Sequence, residues 1–334
     1  MATVKPRTLS GFMELLPADQ LKFERMLTLL RETYSSYGFT PLDTPVIEAA
    51  EVLLAKGGGE TEKQVYRGER AQRGRFREFY QADIDIIGDG KLDVLCEAEI
   101  PAIIFDTFTR LGVKRFQIRV NNRKLLSGFY AMNGMSEKSG EIMRTVDKMD
   151  KIGAEAVRQS LINDVKMLPC KAENVMDFMA VKGTNDEVIA ALERYRGMDA
   201  TFDEGLEELK TVVKYLADFG VPEENFAVDL TIARGLDYYT GTVYETLMLD
   251  HPEIGSVCSG GRYDDLAGYY TDRRLPGVGI SIGLTRFFYI LSEQGLLSVK
   301  DMRSGEQRKL TADETAALLR ADAAGRAAAT LIKE

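Results

Sequence analysis

The segment 230–245 constrains this chain more than any other, because it combines an arginine, a tyrosine pair and two glycines with the alternation of a β-strand. It reads LTIARGLDYYTGTVYE. Arg234 has apolar residues on both sides, and a guanidinium in such a strand needs an anion to neutralise it. Successive strand residues point to opposite faces, so at least one of Tyr238 and Tyr239 is expected to line the same cleft. The segment therefore predicts an anion-binding cleft at one face of a sheet.

The composition is that of an ordinary globular protein. The chain has 334 residues, of which 45% are hydrophobic and 28% are charged, and this length predicts two domains. The sequence lacks an apolar run of about 18 residues, the minimum for a membrane span, and its first residues lack the apolar core of a signal peptide. We therefore expect a cytoplasmic protein without a membrane partner.

Several kinds of chemistry are excluded by the scarcity of histidine and cysteine. His251 is the single histidine, and Cys96, Cys170 and Cys258 are scattered along the chain. This pattern disfavours a Ser-His-Asp triad, a disulfide framework and a protein-bound metal. The chemistry is expected to rely on arginines, carboxylates and groups of the substrate. A net charge of −9 argues against indiscriminate nucleic-acid binding, although a local basic surface remains compatible with it.

Periodicity predicts an α+β fold in which helices flank a mostly antiparallel sheet. Polar and apolar residues alternate over 75–87 and 226–247, which favours antiparallel strands over buried parallel ones. Helical spacing is found over 91–111, where Pro101 is expected to kink or split the helix, and over 284–294. Residues 124–225 are helical by pattern and carry no catalytic constellation, which suits an inserted helical domain.

The N-terminal region predicts a contact between two copies of the chain. Residues 18–37 form an amphipathic helix by pattern, ended by Gly38, and residues 39–48 are expected to be extended. Pro41 and Pro45 cannot donate to a central strand, so this segment belongs at an edge or an interface. We expect a twofold homodimer through this region.

An arginine-rich loop leads into the first predicted strand. Residues 67–85 read RGERAQRGRFREFYQADID, with five arginines among the first eleven residues. Guanidinium groups match phosphate oxygens in pairs, which makes the loop suited to a polyphosphate. The alternative is a solvated basic turn.

Two glycine-containing segments follow later in the chain. In 257–265, VCSGGRYDD, Gly260 and Gly261 allow close approach of the backbone to a ligand and Tyr263 can close over it, although a plain glycine bulge is the alternative. In 277–286, GVGISIGLTR, the third glycine comes at Gly283, one position too late for a dinucleotide-binding fingerprint.

Taken in order, these segments resemble the motifs of histidyl-tRNA synthetases, which are class II aminoacyl-tRNA synthetases. The matches are 18–48 to motif 1, 67–85 to motif 2, 230–245 and 257–265 to the two histidine-specific signatures, and 277–286 to motif 3. The resemblance implies the class II antiparallel sheet with a helical insertion. It also implies ATP-dependent activation of histidine to histidyl-adenylate and transfer of the histidyl group to tRNA(His).

The resemblance also assigns roles in binding ATP. Arg67 would hold the α-phosphate and the substrate carboxylate, and Glu69 would accept from the adenine amino group. Phe79 would stack on the adenine ring, Arg75 would bind the phosphates, and Arg286 would contact the γ-phosphate. Mg²⁺ would arrive bound to ATP.

The residues that the resemblance assigns to histidine recognition lie in motif 2 and in the two signatures. They are Gln81, Asp85, Arg234, Tyr238, Tyr239 and Tyr263. Asp85 would accept a hydrogen bond from the imidazole N–H. Arg67 and Arg234 on opposite sides of the α-phosphate, with Arg286 at the leaving group, would be the catalytic residues, and no general base is needed.

The chain departs from the family pattern in two places. After Tyr66, the strand that carries the family's acidic residue for the substrate amino group is missing, and after Leu297 only part of an anticodon-binding domain follows. The expected organisation is a catalytic domain in two parts, a helical insertion and a remnant of the anticodon-binding domain, with bounds 1–123, 226–297, 124–225 and 298–334 respectively. Two alternatives stay open: a histidine-sensing regulatory subunit of ATP phosphoribosyltransferase, and an unrelated nucleotide-binding α+β protein.

Overall fold

The computed structural model describes residues 6–45, 48–55, 76–233, 238–293, 296–300 and 307–311. The chain divides into two compact units, Met1–Thr285 and Arg286–Glu334. Within the described residues, no helix is both long enough and apolar enough to cross a bilayer.

A six-stranded sheet forms the centre of the first unit. Its strands are β1 (Gln81–Ile87), β2 (Phe116–Asn122), β3 (Phe226–Val228), β4 (Thr242–Met248), β5 (Ser256–Tyr263) and β6 (Gly277–Gly283). They are arranged in the order β1-β6-β5-β4-β2-β3, and every neighbouring pair is antiparallel except β2 and β3. The predicted α+β fold with a mostly antiparallel sheet is confirmed.

The helices described by the structure come before, between and after these strands. They are α1 (Pro17–Ser36), α2 (Ala50–Leu54), α3 (Leu95–Arg110), α4 (Arg123–Met132), α5 (Ser139–Val146), α6 (Met149–Ile152), α7 (Ala154–Asn163), α8 (Pro169–Met179), α9 (Asn185–Glu193), α10 (Ala200–Asp218) and α11 (Leu284–Glu293). In the second unit, strands β7 (Leu296–Lys300) and β8 (Gln307–Thr311) pair antiparallel.

The two faces of the central sheet differ in polarity. One row of directly opposed residues crosses five strands and is polar throughout: Asp83, Ser281, Ser259, Glu245 and Arg119. The adjacent row points to the other face and is buried: Ile84, Ile280, Gly260, Tyr244 and Val120. Helices α3 and α10 pack on the sheet, so the apolar row is covered and the polar row is available for a ligand.

Helix α3 is continuous even though it contains Pro101. An internal proline costs about 3 kcal/mol or more, because one hydrogen bond is lost and the ring clashes with the preceding turn. Ile100, Ile103, Ile104 and Phe108 of this helix are all buried, and burying four large side chains contributes more than that cost. Of the two expectations for Pro101, a kink or a split, the split is wrong.

The predicted N-terminal helix is confirmed, whereas the extended segment predicted over 39–48, of which residues 46–47 lie outside the described residues, forms no strand in the part that is described. Helix α1 ends before Gly38, which has a φ of 86°, the left-handed conformation that glycine adopts readily. Residues 39–45, by contrast, belong to no strand. Pro41 and Pro45 remove two amide donors from this short segment, which leaves too few for a regular ladder within one chain.

The stretch 124–225 is helical, as its pattern predicts. All of its residues are described, and they form helices α4 to α10 with short 3₁₀ turns and no strand. Aromatic rings fill the space between these helices. Phe129 stacks on Phe178 with ring centroids 3.9 Å apart, and Tyr195 and Phe202 pack edge-on around them. Such a cluster gives the helical stretch apolar packing of its own.

Candidate active site

The polar face of strands β1, β5 and β6 gathers several of the residues expected to bind the amino acid. Gln81, Asp83 and Asp85 alternate along β1 and therefore share this face. The Gln81 Nε2 donates to Ser281 Oγ at 2.5 Å, and the Tyr263 hydroxyl donates to Asp85 Oδ1 at 2.7 Å. We call these five residues the polar face: Gln81, Asp83, Asp85, Tyr263 and Ser281.

Glycines in the neighbouring strands make room for these side chains. A Cβ at Gly279 would clash with the Asp85 carboxylate, and one at Gly277 would clash with the Tyr263 ring. A Cβ at Gly261 would lie 2.6 Å from the Thr242 carbonyl oxygen and 3.1 Å from the Tyr239 ring. The glycines thus let long side chains of one strand lie across the next strand.

The tyrosine pair lies on the same side as Asp85. The ring centroids of Tyr238 and Tyr239 are 4.7 Å apart, and Tyr238 is 6.1 Å from Tyr263 in an edge-on arrangement. Strand β4 begins only at Thr242, so the pair precedes the strand and the expectation of one phenol on each face is wrong. The regular ladder of β4 begins only after Thr240, whose amide donates to the Arg262 carbonyl oxygen and whose hydroxyl donates to Asp264.

Burial sets the protonation of this face. It raises the pKa of Asp85, although the hydrogen bond from Tyr263 opposes that shift. It also raises the pKa of Asp83, and the charge of Asp85 adds to the increase. The pKa values of Tyr239 and Tyr263 are raised well above the ordinary value for the same reason. The phenols therefore remain neutral, and the site offers carboxylates that favour a ligand carrying N–H donors.

A second group of charged side chains lies on the other face of the same strands. It consists of Glu97 on α3, Arg262 on β5 and Asp264 just after β5, and we call it the Arg262 cluster. The Arg262 Nη1 is 2.6 Å from Glu97 Oε1, and Nη2 is 3.1 Å from Asp264 Oδ1. The Glu97 side chain is fully buried, and that of Arg262 is 11% exposed. The sequence motifs assign no role to these three residues.

Burial and hydrogen bonds act in opposite directions on the two carboxyl groups of the Arg262 cluster. Burial raises the pKa of Glu97, while hydrogen bonds from Thr242 and Arg262 oppose the increase. Burial also acts to raise the pKa of Asp264, but the hydrogen bonds from Thr240 and Arg262 outweigh it and the pKa is lowered. A visible signal was present in the sequence, since Arg262 occupies an inward position of β5 and Glu97 lies among the apolar residues of α3.

Most of the residues expected to bind ATP fall outside the described residues. These are Arg67, Glu69 and Arg75, and Arg234 of the first signature is outside them as well. Phe79 precedes β1 and is 55% exposed, as a ring that stacks on a ligand has to be. Arg286 is the third residue of helix α11 and the first residue of the second unit.

The segment that leads to Arg234 is anchored by a buried asparagine. Asn121 on β2 donates through Nδ2 to the carbonyl oxygens of Leu230 and Ile232, at 3.2 and 2.9 Å. Asp229 accepts from both the amide and the hydroxyl of Thr231. The backbone up to residue 233 is therefore fixed against β2 immediately before the predicted catalytic arginine. Among the described residues, no three histidine, cysteine or acidic side chains are grouped as metal ligands.

Comparison with known proteins places this geometry in a family. The family model described as histidyl-tRNA synthetase matches residues 61–287. The histidine–tRNA ligase of Clostridium tetani is 48% identical over an alignment that covers 88% of this chain and 76% of the relative. That of Xanthomonas axonopodis pv. citri is 43% identical with the same coverage. The two alignments run over 337 and 362 positions, which is more than the 88% of this 334-residue chain that each covers. The relatives therefore have residues within the aligned region that this chain lacks.

Solved structures show the same relationship. The crystal structure of histidyl-tRNA synthetase from Nostoc sp. PCC 7120 superposes with a TM-score of 0.78 at 30% identity, over 95% of this chain and 100% of that one. A Bacillus halodurans protein, described as an ATP phosphoribosyltransferase regulatory subunit/histidyl-tRNA synthetase, gives 0.69 at 19% identity over 86% of this chain and 84% of its own. That likeness is one of fold. The matched length of the family model and the identity to the ligases show that the chain belongs to the histidyl-tRNA synthetase family.

Proposed function

We propose that this chain is a histidine–tRNA ligase, which uses ATP to activate histidine as histidyl-adenylate and then transfers the histidyl group to tRNA(His). One observation carries the proposal: Gln81, Asp85 and Tyr263 meet on one polar face of a chain that is 48% identical to a histidine–tRNA ligase. This identity favours the ligase over the regulatory subunit, because the structure described in part as such a subunit is only 19% identical.

The imidazole of histidine fits the chemistry of the polar face. An imidazole N–H donates to a carboxylate, and Asp85 offers one that already accepts from Tyr263. Tyr238, Tyr239 and Tyr263 lie close enough to one another to bound the flat ring. Gln81 supplies a further polar contact. A site that recognises its substrate by hydrogen bonds rejects analogues that lack the matching groups by about 10⁴ or more.

Activation requires two anions to be brought together. The carboxylate of histidine attacks the α-phosphorus of ATP and pyrophosphate leaves, so the barrier is largely electrostatic and positional. Arg67 and Arg234 neutralise the carboxylate and the α-phosphate in this proposal, and Arg286 binds the γ-phosphate of the leaving group. Each of the three acts as a fixed donor, and no protein base is required.

The adenine and the metal complete the ATP site. Phe79 offers an exposed ring on which adenine stacks, Glu69 accepts from the adenine amino group and Arg75 adds charge against the phosphates. Mg²⁺ enters as part of the MgATP substrate. The site of action we propose is the cytoplasm, where ATP, histidine and tRNA(His) meet in protein synthesis.

The domain organisation that we propose assigns one task to each part. The two catalytic parts, 1–123 and 226–297, contribute all six strands of the central sheet, and the insertion 124–225 contributes helices alone. The tail 298–334 is a remnant of the anticodon-binding domain. The chain covers 76% of its ligase relatives.

A test of the central chemistry is exchange of labelled pyrophosphate into ATP, which reports activation without tRNA. We expect exchange that depends on histidine, and Arg234→Ala should lower its rate by about 10² to 10³, the size typical of losing one preorganised charge-stabilising donor. Arg234→Lys should not restore the rate fully, because an ammonium cannot reproduce the guanidinium fork.

The control for this test is Arg110→Ala, which removes an exposed arginine of α3 paired with Asp106 and should leave exchange unchanged. Melting temperatures separate catalysis from folding. A large fall in melting temperature for Arg234→Ala, with normal specific activity in the folded fraction, would contradict the catalytic role.

The pH dependence of histidine use tests the role of Asp85. The hydrogen bond from Tyr263 lowers the pKa of this carboxyl, so Tyr263→Phe raises it further. Asp85 must be ionised to accept the imidazole N–H. With a higher pKa, it becomes protonated at a higher pH as the solution is made more acidic. The acid limb of kcat/KM for histidine should move to higher pH in the variant.

Titration of free histidine is the same for both proteins, so the difference between their profiles reports the enzyme group. Tyr270→Phe is the matched control, since that hydroxyl donates to the Val52 carbonyl oxygen and not to a carboxylate. Superimposable profiles for the wild type and Tyr263→Phe would show that Asp85 does not control histidine use.

We also propose a homodimer through the N-terminal segment. Leu9, Leu16, Leu21 and Leu42 are between 62% and 88% exposed, and a dimer interface at this segment would cover such apolar side chains. Sedimentation at micromolar concentration should find a dimer that Leu21→Glu dissociates. Leu168→Glu, at an equally exposed leucine of the insertion, should leave the dimer intact. A wild-type protein that sediments as a monomer would contradict the proposed dimer.

A further inference from the structure

We propose that Arg262 is a positioning residue for histidine, which holds the tyrosines of the binding site in place from the opposite face of the sheet. The inference rests on the proposed function and gives a role to Glu97 and to residues of the two signatures that had none assigned. It assigns to the Arg262 cluster a share in histidine affinity, exerted without contact with the substrate.

The position of Arg262 in β5 separates it from the ligand. Residues 262 and 263 are consecutive in the strand, so their side chains point to opposite faces. Tyr263 reaches Asp85 on the polar face, whereas Arg262 reaches Glu97 of α3 beneath the sheet. A shift of the strand end at Arg262 therefore moves the Tyr263 ring directly.

The guanidinium of Arg262 is fully engaged. Its Nη1 donates to Glu97 Oε1 at 2.6 Å and to the Leu92 carbonyl oxygen at 3.2 Å. Its Nη2 donates to the same carbonyl at 3.2 Å and to Asp264 Oδ1 at 3.1 Å, and Nε also donates to Asp264. The guanidinium makes these bonds to three partners with five N–H donors in one plane, a geometry that the single ammonium of a lysine cannot reproduce. The side chain thus ties the end of β5 to helix α3 and to the residues before it.

The same cluster fixes the backbone that follows the tyrosine pair. The Thr240 amide donates to the Arg262 carbonyl oxygen at 2.8 Å, and the Thr240 hydroxyl donates to Asp264. The Thr242 amide donates to Glu97 Oε2 at 3.2 Å. Three hydrogen bonds therefore hold residues 240–242, immediately after Tyr238 and Tyr239.

Gly241 shows how closely this backbone approaches the guanidinium arm. A Cβ at this position would lie 2.9 Å from Arg262 Cδ and 3.3 Å from its Cβ, so any larger residue would push the segment away from the cluster. Glycine is required here by contact and not by a turn. The contact with the Arg262 side chain therefore fixes the position of the backbone at Gly241, next to the tyrosine pair.

Stability alone is a weak explanation of this arrangement. Removing two charges from water costs several kcal/mol per ion, and well-packed apolar residues often serve stability equally well. Apolar residues could not, however, accept from the Thr242 amide or direct the Thr240 hydroxyl. The partners of the cluster are the backbone and side chains next to the substrate tyrosines, which indicates that the cluster serves their geometry.

The test compares steady-state constants in pyrophosphate exchange. Arg262→Lys keeps the charge and loses the fork, so KM for histidine should rise about tenfold to a hundredfold, the range for losing hydrogen bonds to a charged group. KM for ATP should stay within about twofold, because Phe79 is not held by the cluster. Thr240→Val is the gentler second variant: it keeps the shape, removes the hydroxyl bond to Asp264, and should raise KM for histidine by a smaller factor.

The matched control is Arg115→Lys, since Arg115 pairs with Asp250 in an exposed ion pair at 2.6 Å and should leave both constants unchanged. Unchanged KM for histidine in folded Arg262→Lys or in Thr240→Val would overturn the inference, as would an equal rise for histidine and ATP. If the wild type shows no histidine-dependent exchange, both the proposed function and this inference are wrong. Normal wild-type exchange with unaffected variants overturns this inference alone.

Discussion

The ion pair between Glu97 and Arg262 joins a helix to the end of a strand, and the Glu97 side chain in it is fully buried. Two opposite charges buried together stabilise each other only if their remaining donors and acceptors are also paired. Here Asp264, the Leu92 carbonyl and the Thr242 amide provide those partners. Because each partner belongs to a different part of the chain, the pair determines how helix α3, strand β5 and the approach to strand β4 fit together.

The sheet converts this buried contact into a binding surface. Alternation along β5 places Arg262 below and Tyr263 above, and alternation along β1 places Ile84 in the core and Asp85 on the polar face. Side chains held on the face of the Arg262 cluster thereby fix the opposite, polar face, where the Asp85 carboxylate and three phenols lie close together. Preorganisation of this kind lets a site recognise a small polar ring without spending binding energy on ordering its own side chains.

The sequence allowed the fold class to be predicted, and also the position of Gln81 and Asp85 on one face of a strand. The spacing of Gln81 and Asp85 was sufficient, because the two-residue period of a strand puts them on one face whatever the rest of the fold. The tyrosine pair was misplaced, since a strand pattern does not reveal at which residue the ladder begins, and here β4 begins only at Thr242.

The Arg262 cluster escaped prediction for a related reason. Glu97 and Arg262 are 165 residues apart, and neither lies in a spacing that signals a pair along one helix or strand. Glu97 and Arg262 each looked isolated in the sequence. A charged side chain that points inward nevertheless needs a buried partner of opposite charge. At Pro101 the sequence pointed to a weaker helix than the structure has. The low helix propensity of proline was overridden by burial of the apolar residues around it.

The account as a whole depends on histidine lying with its ring on the polar face and its carboxylate directed away from Asp85. A crystal structure of the protein with bound histidine measures this directly. We expect one imidazole nitrogen within hydrogen-bond distance of the Asp85 carboxylate, about 2.7 to 3.2 Å, with the ring bounded by Tyr238, Tyr239 and Tyr263. Histidine bound elsewhere, or bound here with its imidazole beyond the reach of Asp85, would contradict the account.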